Sequence, residues 1–272
     1  MTDQPDQRGK LHETLALYPT RIVACSGGID SLVLATLAHR AAPEQTVVAH
    51  TVTPAVPGPG TARVVAFGER EGWNLELVRS NEFDDERYLA NPADRCYYCK
   101  SNLYAAIAML QETRLVGADA VILSGANTDD LGEYRPGLVA AAEQAVHHPY
   151  IESGWAKNDV RAAARVLGLA EADLPASPCL ASRLYTGTRV TAARLQAVEV
   201  GEALVTQLTG IGVVRCRIRD EAVHIEVMAD DRHLIDNRVV AAVHIAMTSI
   251  EPGLESVVLD EDDYRAGRSF LR

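Results

Sequence analysis

Arg21-Ile22-Val23-Ala24-Cys25-Ser26-Gly27-Gly28-Ile29-Asp30-Ser31 decides how the rest of the chain is read. The apolar run from Arg21 to Cys25 predicts a buried strand, and the stretch from Ser31 to His39 predicts a helix. Between them stands a turn with two adjacent glycines, Gly27 and Gly28. Glycine takes positive φ without strain and lets another group approach the backbone closely. The N–H groups and dipole at the start of the helix favour an anion, and the hydroxyls of Ser26 and Ser31 suit phosphate oxygens. Asp30 is a poor phosphate contact but a good Mg²⁺ contact. No Gly-Lys-Ser/Thr follows, so the turn is not a Walker A loop, and it lacks the G-x-G-x-x-G of a dinucleotide turn. The plain alternative is a strand–helix turn capped by Ser26 or Asp30.

Outward from this turn, Thr46–Thr53, Leu75–Val78 and Ala120–Ser124 predict further strands. A Pro/Gly break over Pro54–Gly60, a helix near Ala62–Glu71 and a long helix around Ser101–Leu115 separate them. Such alternation predicts an α/β fold, a parallel sheet with helices on both faces, whose ligands sit at the carboxyl ends of strands. Gly125, Asn127 and Asp130, just after the Ala120–Ser124 run, are therefore expected beside the same ligand as the glycine turn. A loop turn alone also accounts for Gly and Asn there. From about Ala170 the rhythm changes. A loop containing Pro175, Pro178 and Gly187 precedes a helix over Thr191–Leu208, strands at Val213–Arg219 and Ala222–Val227, a helix over Asp231–Thr248 and a strand at Ser256–Leu259. This predicts a smaller α+β domain, so the expected domains are 1–186 and 187–272.

The 272 residues are 47% hydrophobic and 23% charged, which excludes wholesale disorder and allows a sizeable core. No apolar run approaches the roughly 18 residues of a membrane helix, and Met1–Lys10 lacks the apolar region of a secretory signal. A cytoplasmic protein without membrane contact is the expectation. With 26 Lys+Arg against 37 Asp+Glu, the net charge of −11 argues against a broad grip on nucleic acid. Five cysteines, an odd number, point to a reducing compartment and to metal, redox or packing roles.

Cys96 and Cys99 form a C-x-x-C pair in Arg95-Cys96-Tyr97-Tyr98-Cys99-Lys100, and Cys179 stands in Ser177-Pro178-Cys179-Leu180-Ala181-Ser182-Arg183. No second C-x-x-C or spaced His pair completes a structural zinc site. A thioredoxin-type pair would directly follow a strand, whereas this one follows a loop. Three thiolates without an evident fourth ligand suit a [4Fe–4S] cluster with one open iron; three unrelated buried or surface thiols are the alternative. Arg95, Lys100 and Arg183 flank these cysteines and favour thiolate. Cys25 and Cys216 are expected in the core, Cys216 sharing a strand face with Val214 and Ile218.

The same strand alternation puts Arg215, Arg217 and Arg219 on the opposite face, beside His224 and Glu226, as a solvated face with cross-strand ion pairs. On the Thr191–Leu208 helix, Glu202 falls within the apolar stripe of Leu195, Val198, Val205 and Leu208. A carboxylate there needs a cationic or metal partner, and Arg215 or Arg217 is the expected one, together forming a site for an anionic substrate group.

S-G-G-x-D-S after a first strand resembles the PP-loop of ATP pyrophosphatases. Over nearly its whole length the chain resembles the LarE family of ATP-dependent sulfurtransferases. The resemblance rests on Ser26–Ser31, Asn91-Pro92 leading to Arg95–Lys100, Asn127–Asp130 leading to Tyr134-Arg135-Pro136-Gly137, Cys179–Arg183, Arg215/Arg217, and Leu259-Asp260 leading to Tyr264-Arg265-Ala266-Gly267. Leu184-Tyr185-Thr186-Gly187 departs from the Pro-Tyr-Gly run common after the arginine, and Ser124-Gly125-Ala126 stands where Gly-Thr is common.

The resemblance implies a PP-loop domain and a reaction on a pyridinium dicarboxylate mononucleotide, in the making of a nickel-pincer nucleotide. A substrate carboxylate attacks the ATP α-phosphate and expels pyrophosphate, and sulfur then displaces AMP to give a thiocarboxylate. It implies ATP and Mg²⁺ at Ser26, Gly27, Gly28, Asp30, Ser31, Gly125, Asn127 and Asp130, with Asp30, Cys179 and Arg183 catalytic. Arg135 joins Glu202, Arg215 and Arg217 as substrate-binding residues, and Cys96, Cys99 and Cys179 are the expected [4Fe–4S] ligands. Family members with only the cysteine matching Cys179 sacrifice its sulfur; a chain with all three is expected to use a cluster that carries an extra sulfide. The sulfide source is not specified, and a homo-oligomer is expected. A cluster-dependent tRNA thiolase would need a basic RNA-binding surface, which the charge disfavours, and a non-catalytic ATP- or metal-binding sensor is the remaining alternative.

Overall fold

A computed structural model describes residues 6–112, 117, 119–132, 135–174 and 177–270. Tyr134, Pro175 and the end of the helix expected to reach Leu115 lie outside the described residues. The chain forms two compact units, Met1–Glu82 with Cys96–Ser177, and Phe83–Arg95 with Pro178–Arg272.

The first unit carries α1 (Asp6–Ala16), β1 (Arg21–Ala24), α2 (Ile29–Ala41), β2 (Thr46–Thr51), α3 (Gly58–Glu71) and β3 (Asn74–Val78). After α4 (Glu86–Leu89), which belongs to the second unit, come α5 (Arg95–Ala108), β4 (Val121–Ser124), α6 (Pro136–Glu143), α7 (Pro149–Ser153) and α8 (Lys157–Val166). The four strands form one parallel sheet in the order β3-β2-β1-β4. Alternation along the strands divides the core. Val23, Val48 and Leu123 pack with α2, α3 and α8, while Ile22, Val47 and Ile122 pack with Tyr104, Ile107 and Ala141 of α5 and α6. Strands β1, β2 and β4 are largely buried on both faces because helices cover both, while the edge strand β3 exposes Asn74 and Leu77.

In this order the chain leaves β1 in one direction to β2 and returns on its other side as β4. The carboxyl ends of β1 and β4 thus flank a switch point, where parallel sheets open a crevice for ligands. The glycine turn follows β1, and the Gly125–Asp130 loop follows β4.

The second unit packs α9 (Ala192–Thr209) and α10 (Asn237–Thr248) with a sheet of β5 (Val214–Arg219), β6 (Ala222–Val227) and β7 (Ser256–Leu259), in that order. β5 and β6 are antiparallel, and β7 is parallel to β6. Thr191 caps α9 by accepting from the Arg194 N–H, Asp236 caps α10, and Gly210 ends α9 in the left-handed region. No helix among the described residues is long and apolar enough to cross a membrane.

Candidate functional site

The glycine turn is built by its own hydroxyls. Ser31 Oγ accepts from the Ser26 N–H at 3.0 Å and donates to Gly28 O at 2.9 Å, and the two serine oxygens lie 3.1 Å apart. Gly27 has φ +80°, and a Cβ there would meet Gly60 O of α3 at 2.7 Å. Only glycine fits both conditions. Arg63 Nη1 donates to Gly27 O at 2.7 Å. Gly28 caps α2 without a side-chain bond, so neither Ser26 nor Asp30 serves as the cap.

Asp30 lies in the first turn of α2. Lys157 Nζ, at the start of α8, donates to its Oδ2, and Tyr150 donates to its backbone carbonyl at 3.1 Å. Asp30 Oδ1 is buried with no hydrogen-bond partner among the described residues. An orphaned carboxylate oxygen beside a glycine turn suits a hard cation such as Mg²⁺.

The loop after β4 meets this turn directly. A Cβ on Gly125 would stand 3.0 Å from the backbone of both Asp30 and Ser31. Asn127 N–H donates to Asp130 Oδ2 at 3.0 Å, Asn127 Oδ1 accepts from the Asp129 N–H at 3.1 Å, and Arg135 pairs with Asp130 Oδ1 at 3.0 Å. The Lys157 N–H donates to Asp129 at 3.1 Å, joining α8 to the same loop. Thus Asp30, Gly125, Asn127, Asp130 and Arg135 cluster at the switch point. Lys157, Arg63 and Tyr150 belong with them and carry no local sequence signal. His148 lies 2.7 Å from Ser124 Oγ, and burial lowers its pKa.

Cys96 and Cys99 open α5 and are partly exposed, three residues apart on one helical face. The sequence reading has this pair follow a loop and expects the long helix only from around Ser101. Arg95-Cys96-Tyr97-Tyr98-Cys99-Lys100 has neither Gly nor Pro, so the helix begins at Arg95. None of the five cysteines is in a disulfide. Cys25 and Cys216 are core residues, and burial pushes the Cys25 thiol up to about 11 and Cys216 well above its usual value.

In the second unit, Cys179 precedes a single turn of 3₁₀ helix, Leu180–Arg183. Arg183 forks onto Glu202, with Nε to Oε1 at 2.9 Å and Nη2 to Oε2 at 3.0 Å. Glu202 Oε1 also accepts from the Cys216 N–H at 3.1 Å. Burial works to lower the Arg183 pKa, but the hydrogen bonds and charge of Glu202, with Cys179 and Tyr264 adding, raise it. Glu202 thus has its cationic partner, and that partner is Arg183 rather than Arg215 or Arg217. Burial lowers the Arg215 pKa, and its guanidinium lies 5.2 Å from the Tyr264 ring. Arg217 donates from Nε to Glu226 at 2.7 Å, from Nη1 to Ser182 O at 2.9 Å and from Nη2 to Arg265 O at 3.0 Å. The cross-strand pair is there, and the face is solvated only in part: Arg219 is exposed, whereas Arg217 and Glu226 are 3% and 0% exposed and are bonded by Arg265 and Arg268 of the C-terminal stretch.

Cys96 and Cys99 belong to the first unit and Cys179 to the second. Among the described residues, no group of three His, Cys, Asp or Glu side chains is gathered to hold a metal ion.

Fold and site define a parallel α/β protein with a glycine turn and an orphaned aspartate oxygen at its switch point, joined to a smaller α+β unit. No family model matches the chain. It is 33% identical to slr1717 of Synechocystis, an uncharacterised protein, over 91% of this chain and 90% of the relative, and it belongs to the same family. It is 28% identical to the pyridinium-3,5-bisthiocarboxylic acid mononucleotide synthase of Lactiplantibacillus plantarum over 90% of this chain and 87% of that one, which supports the LarE family. Over 80% of its length it is 26% identical to the uncharacterised protein MJ0830 of Methanocaldococcus jannaschii.

Proposed function

We propose that the protein is an ATP-dependent sulfurtransferase of the PP-loop type, converting a carboxylate of a pyridinium dicarboxylate mononucleotide to a thiocarboxylate for a nickel-pincer cofactor. The observation that carries this reading is the similarity, over nine-tenths of the chain, to a protein named as the bisthiocarboxylic acid mononucleotide synthase. The orphaned Asp30 oxygen and the open glycine turn at the switch point support ATP and Mg²⁺ there.

In this reading a substrate carboxylate oxygen attacks the ATP α-phosphorus and the bond to the bridging oxygen breaks, releasing pyrophosphate. Carboxylate oxygen is a poor leaving group and AMP a good one, so a sulfur nucleophile then adds to the acyl carbon and AMP departs. Ser26, Gly27, Gly28, Ser31, Gly125, Asn127 and Asp130 hold the nucleotide. Asp30 would hold Mg²⁺, which when bound would supply charge neutralisation for the leaving pyrophosphate. Arg135, Glu202, Arg215 and Arg217 were the residues expected to bind substrate. Arg135 and Arg215 are retained in that role, while Glu202 acts by fixing Arg183 and Arg217 is engaged within the fold. Cys96, Cys99 and Cys179 would hold a [4Fe–4S] cluster, a reading their donor chemistry and the shared helical face of the first two support. When bound, such a cluster offers an open iron for an added sulfide. The working partners are the small nucleotide, a sulfide source and copies of the same chain in a homo-oligomer in the cytoplasm, without nucleic acid or membrane.

The test is pyrophosphate release on mixing ATP, Mg²⁺ and the dicarboxylate mononucleotide, followed by mass detection of thiocarboxylate, before and after anaerobic reconstitution with iron and sulfide. Multiple turnovers only after reconstitution support the cluster. One turnover with loss of about 34 Da from Cys179, the mass of H₂S, means that its own sulfur is transferred. No pyrophosphate release overturns the enzyme reading in favour of a sensor.

A further inference from the structure

We propose that Arg95 is a positioning residue that holds Cys179 for sulfur transfer, an inference that rests on Cys179 handling the sulfur. The Pro178–Arg183 segment holds only a single 3₁₀ turn, Leu180–Arg183, and its backbone carbonyls are gripped by three buried guanidinium groups. Arg183 Nη1 donates to Pro178 O at 2.7 Å and to Cys179 O at 3.2 Å. Arg95 Nη1 donates to Ala181 O at 2.9 Å, and Arg217 Nη1 to Ser182 O at 2.9 Å. Ser269 Oγ donates to the same Ser182 carbonyl at 2.6 Å. Four carbonyls around one cysteine are thus fixed by charged donors, which make stronger and more directional bonds than neutral ones.

Arg95 and Arg217 are 2% and 3% exposed, which argues against either reaching out to a ligand from solvent. The charge of Arg217 is matched by Glu226. Arg95 is held differently: Nη1 also bonds the Asn91 side chain, and the Phe270 ring lies 5.3 Å from its guanidinium. Its Nη2 is buried without a hydrogen-bond partner among the described residues. A buried cation satisfied this incompletely is a weak source of stability. What it does securely is hold the carbonyl two residues beyond Cys179. Asn91, at φ +54°, extends the grip by donating from Nδ2 to Tyr185 O at 2.7 Å and Thr188 O at 2.8 Å.

The experiment uses full-length Arg95→Ala and Arg95→Lys, with thermal melting to show that both fold, and reads the two half-reactions separately. Arg95→Ala is expected to slow thiocarboxylate formation about tenfold or more, the scale of a small misplacement of a reacting group, with pyrophosphate release and KM for ATP unchanged. Arg95→Lys keeps one cationic donor for Ala181 O and is expected to recover part of the loss. Equal loss in both half-reactions, or none in either, overturns the proposal. A second readout needs no turnover: alkylation of Cys179 by iodoacetamide, followed by peptide mass, is expected to change about fivefold in Arg95→Ala, within the range of one lost charged hydrogen bond. An unchanged alkylation rate overturns the proposal. If wild type releases no pyrophosphate but Arg95→Ala still alters alkylation, the sulfur-transfer reading fails while the positioning geometry stands.

Discussion

Lys157 Nζ donates to Asp30 Oδ2, while the other oxygen of the same carboxylate is buried without a partner among the described residues. Asp30 therefore pairs one oxygen with an ammonium and leaves the other without a protein partner among the described residues. The two side chains are 33% and 25% exposed, so the pair contributes at most about 1 kcal/mol to stability. Lys157→Met is expected to leave the melting temperature nearly unchanged but to weaken MgATP binding about tenfold, the worth of one charge-assisted hydrogen bond. Under the proposed function, Asp30→Asn is expected to cut pyrophosphate release by about a hundredfold or more by removing the proposed Mg²⁺ ligand. Calorimetric titration with MgATP checks the first, and unaltered affinity in Lys157→Met removes Lys157 from the site.

The two glycines of the turn are not equivalent. Gly27 has φ +80° and its Cβ position is 2.7 Å from a backbone oxygen. Gly28 has φ −82°, and a Cβ there would meet only Ser26 Oγ, at 3.6 Å. Gly27→Ala is expected to cost about 1–3 kcal/mol through strain and overpacking. Gly28→Ala is expected to fold normally and, if the turn holds phosphate as proposed, still to lose ATP affinity, because its methyl group would project into the open side of the turn. Urea melts and nucleotide titration of the pair separate the two effects. Equal stability of the two variants would contradict the steric account.

How much of this was legible varied with distance along the chain. The strand–turn–helix at Arg21–Ala41 and the β5–β6 hairpin follow from local periodicity, and Gly125 was drawn to the turn by the rule for parallel sheets. The need of Glu202 for a cation was legible from its place on an apolar helical stripe. Its partner was not, because Arg183 ends a single 3₁₀ turn in a segment whose path no periodicity encodes. Lys157 begins an ordinary amphipathic helix, so nothing nearby marks it as the partner of Asp30. Phe83–Arg95 falls in the expected 1–186 domain but joins the second unit through Asn91 and Arg95, whose bonds reach about ninety residues ahead. The arginine face of β5 reads as solvated because the pattern of one strand cannot reveal that the C-terminal stretch crosses it.

Arg183 and Glu202 form a pair whose side chains are 4% and 13% exposed. Removing the carboxylate with Glu202→Ala leaves a buried guanidinium uncompensated, and a loss of about 3–5 kcal/mol is expected. Glu202→Gln keeps an oxygen for the Cys216 N–H and for one arginine nitrogen, so its loss is expected to be smaller. Arg183→Lys cannot hold both Glu202 oxygens and the Pro178 and Cys179 carbonyls, and should fall between the two. Urea denaturation of the three variants gives the order; a Glu202→Ala loss below that of Glu202→Gln would show that the pair does not carry this part of the fold.

Asp260 sets an acid limit on the second unit. Arg268 Nη1 donates to its Oδ1 at 2.9 Å, the Asp262 N–H donates to the same oxygen at 2.9 Å, and His224 Nδ1 lies 3.0 Å from Oδ2. Burial raises the pKa of this carboxyl, but the two hydrogen bonds and the charges of Arg268 and His224 outweigh it, so the folded value lies below the usual one. A depressed folded pKa contributes stability that is fully present above the unfolded value, about 3.9, and is lost as pH falls through the folded value. Wild type is therefore expected to hold its urea midpoint down to about pH 4 on account of this group and to lose it below. Arg268→Ala removes both a hydrogen bond and a charge, which raises the Asp260 pKa toward its unfolded value and shrinks that contribution. The variant also loses the contacts of Arg268 with Glu226 at 3.1 Å and with Asp262 at 2.8 Å. The difference in stability between wild type and variant should thus be largest near neutral pH and close as pH falls below about 4. Urea midpoints from pH 3 to 7 measure it, and a difference that stays constant to pH 3 would assign the effect of Arg268 to packing rather than to Asp260.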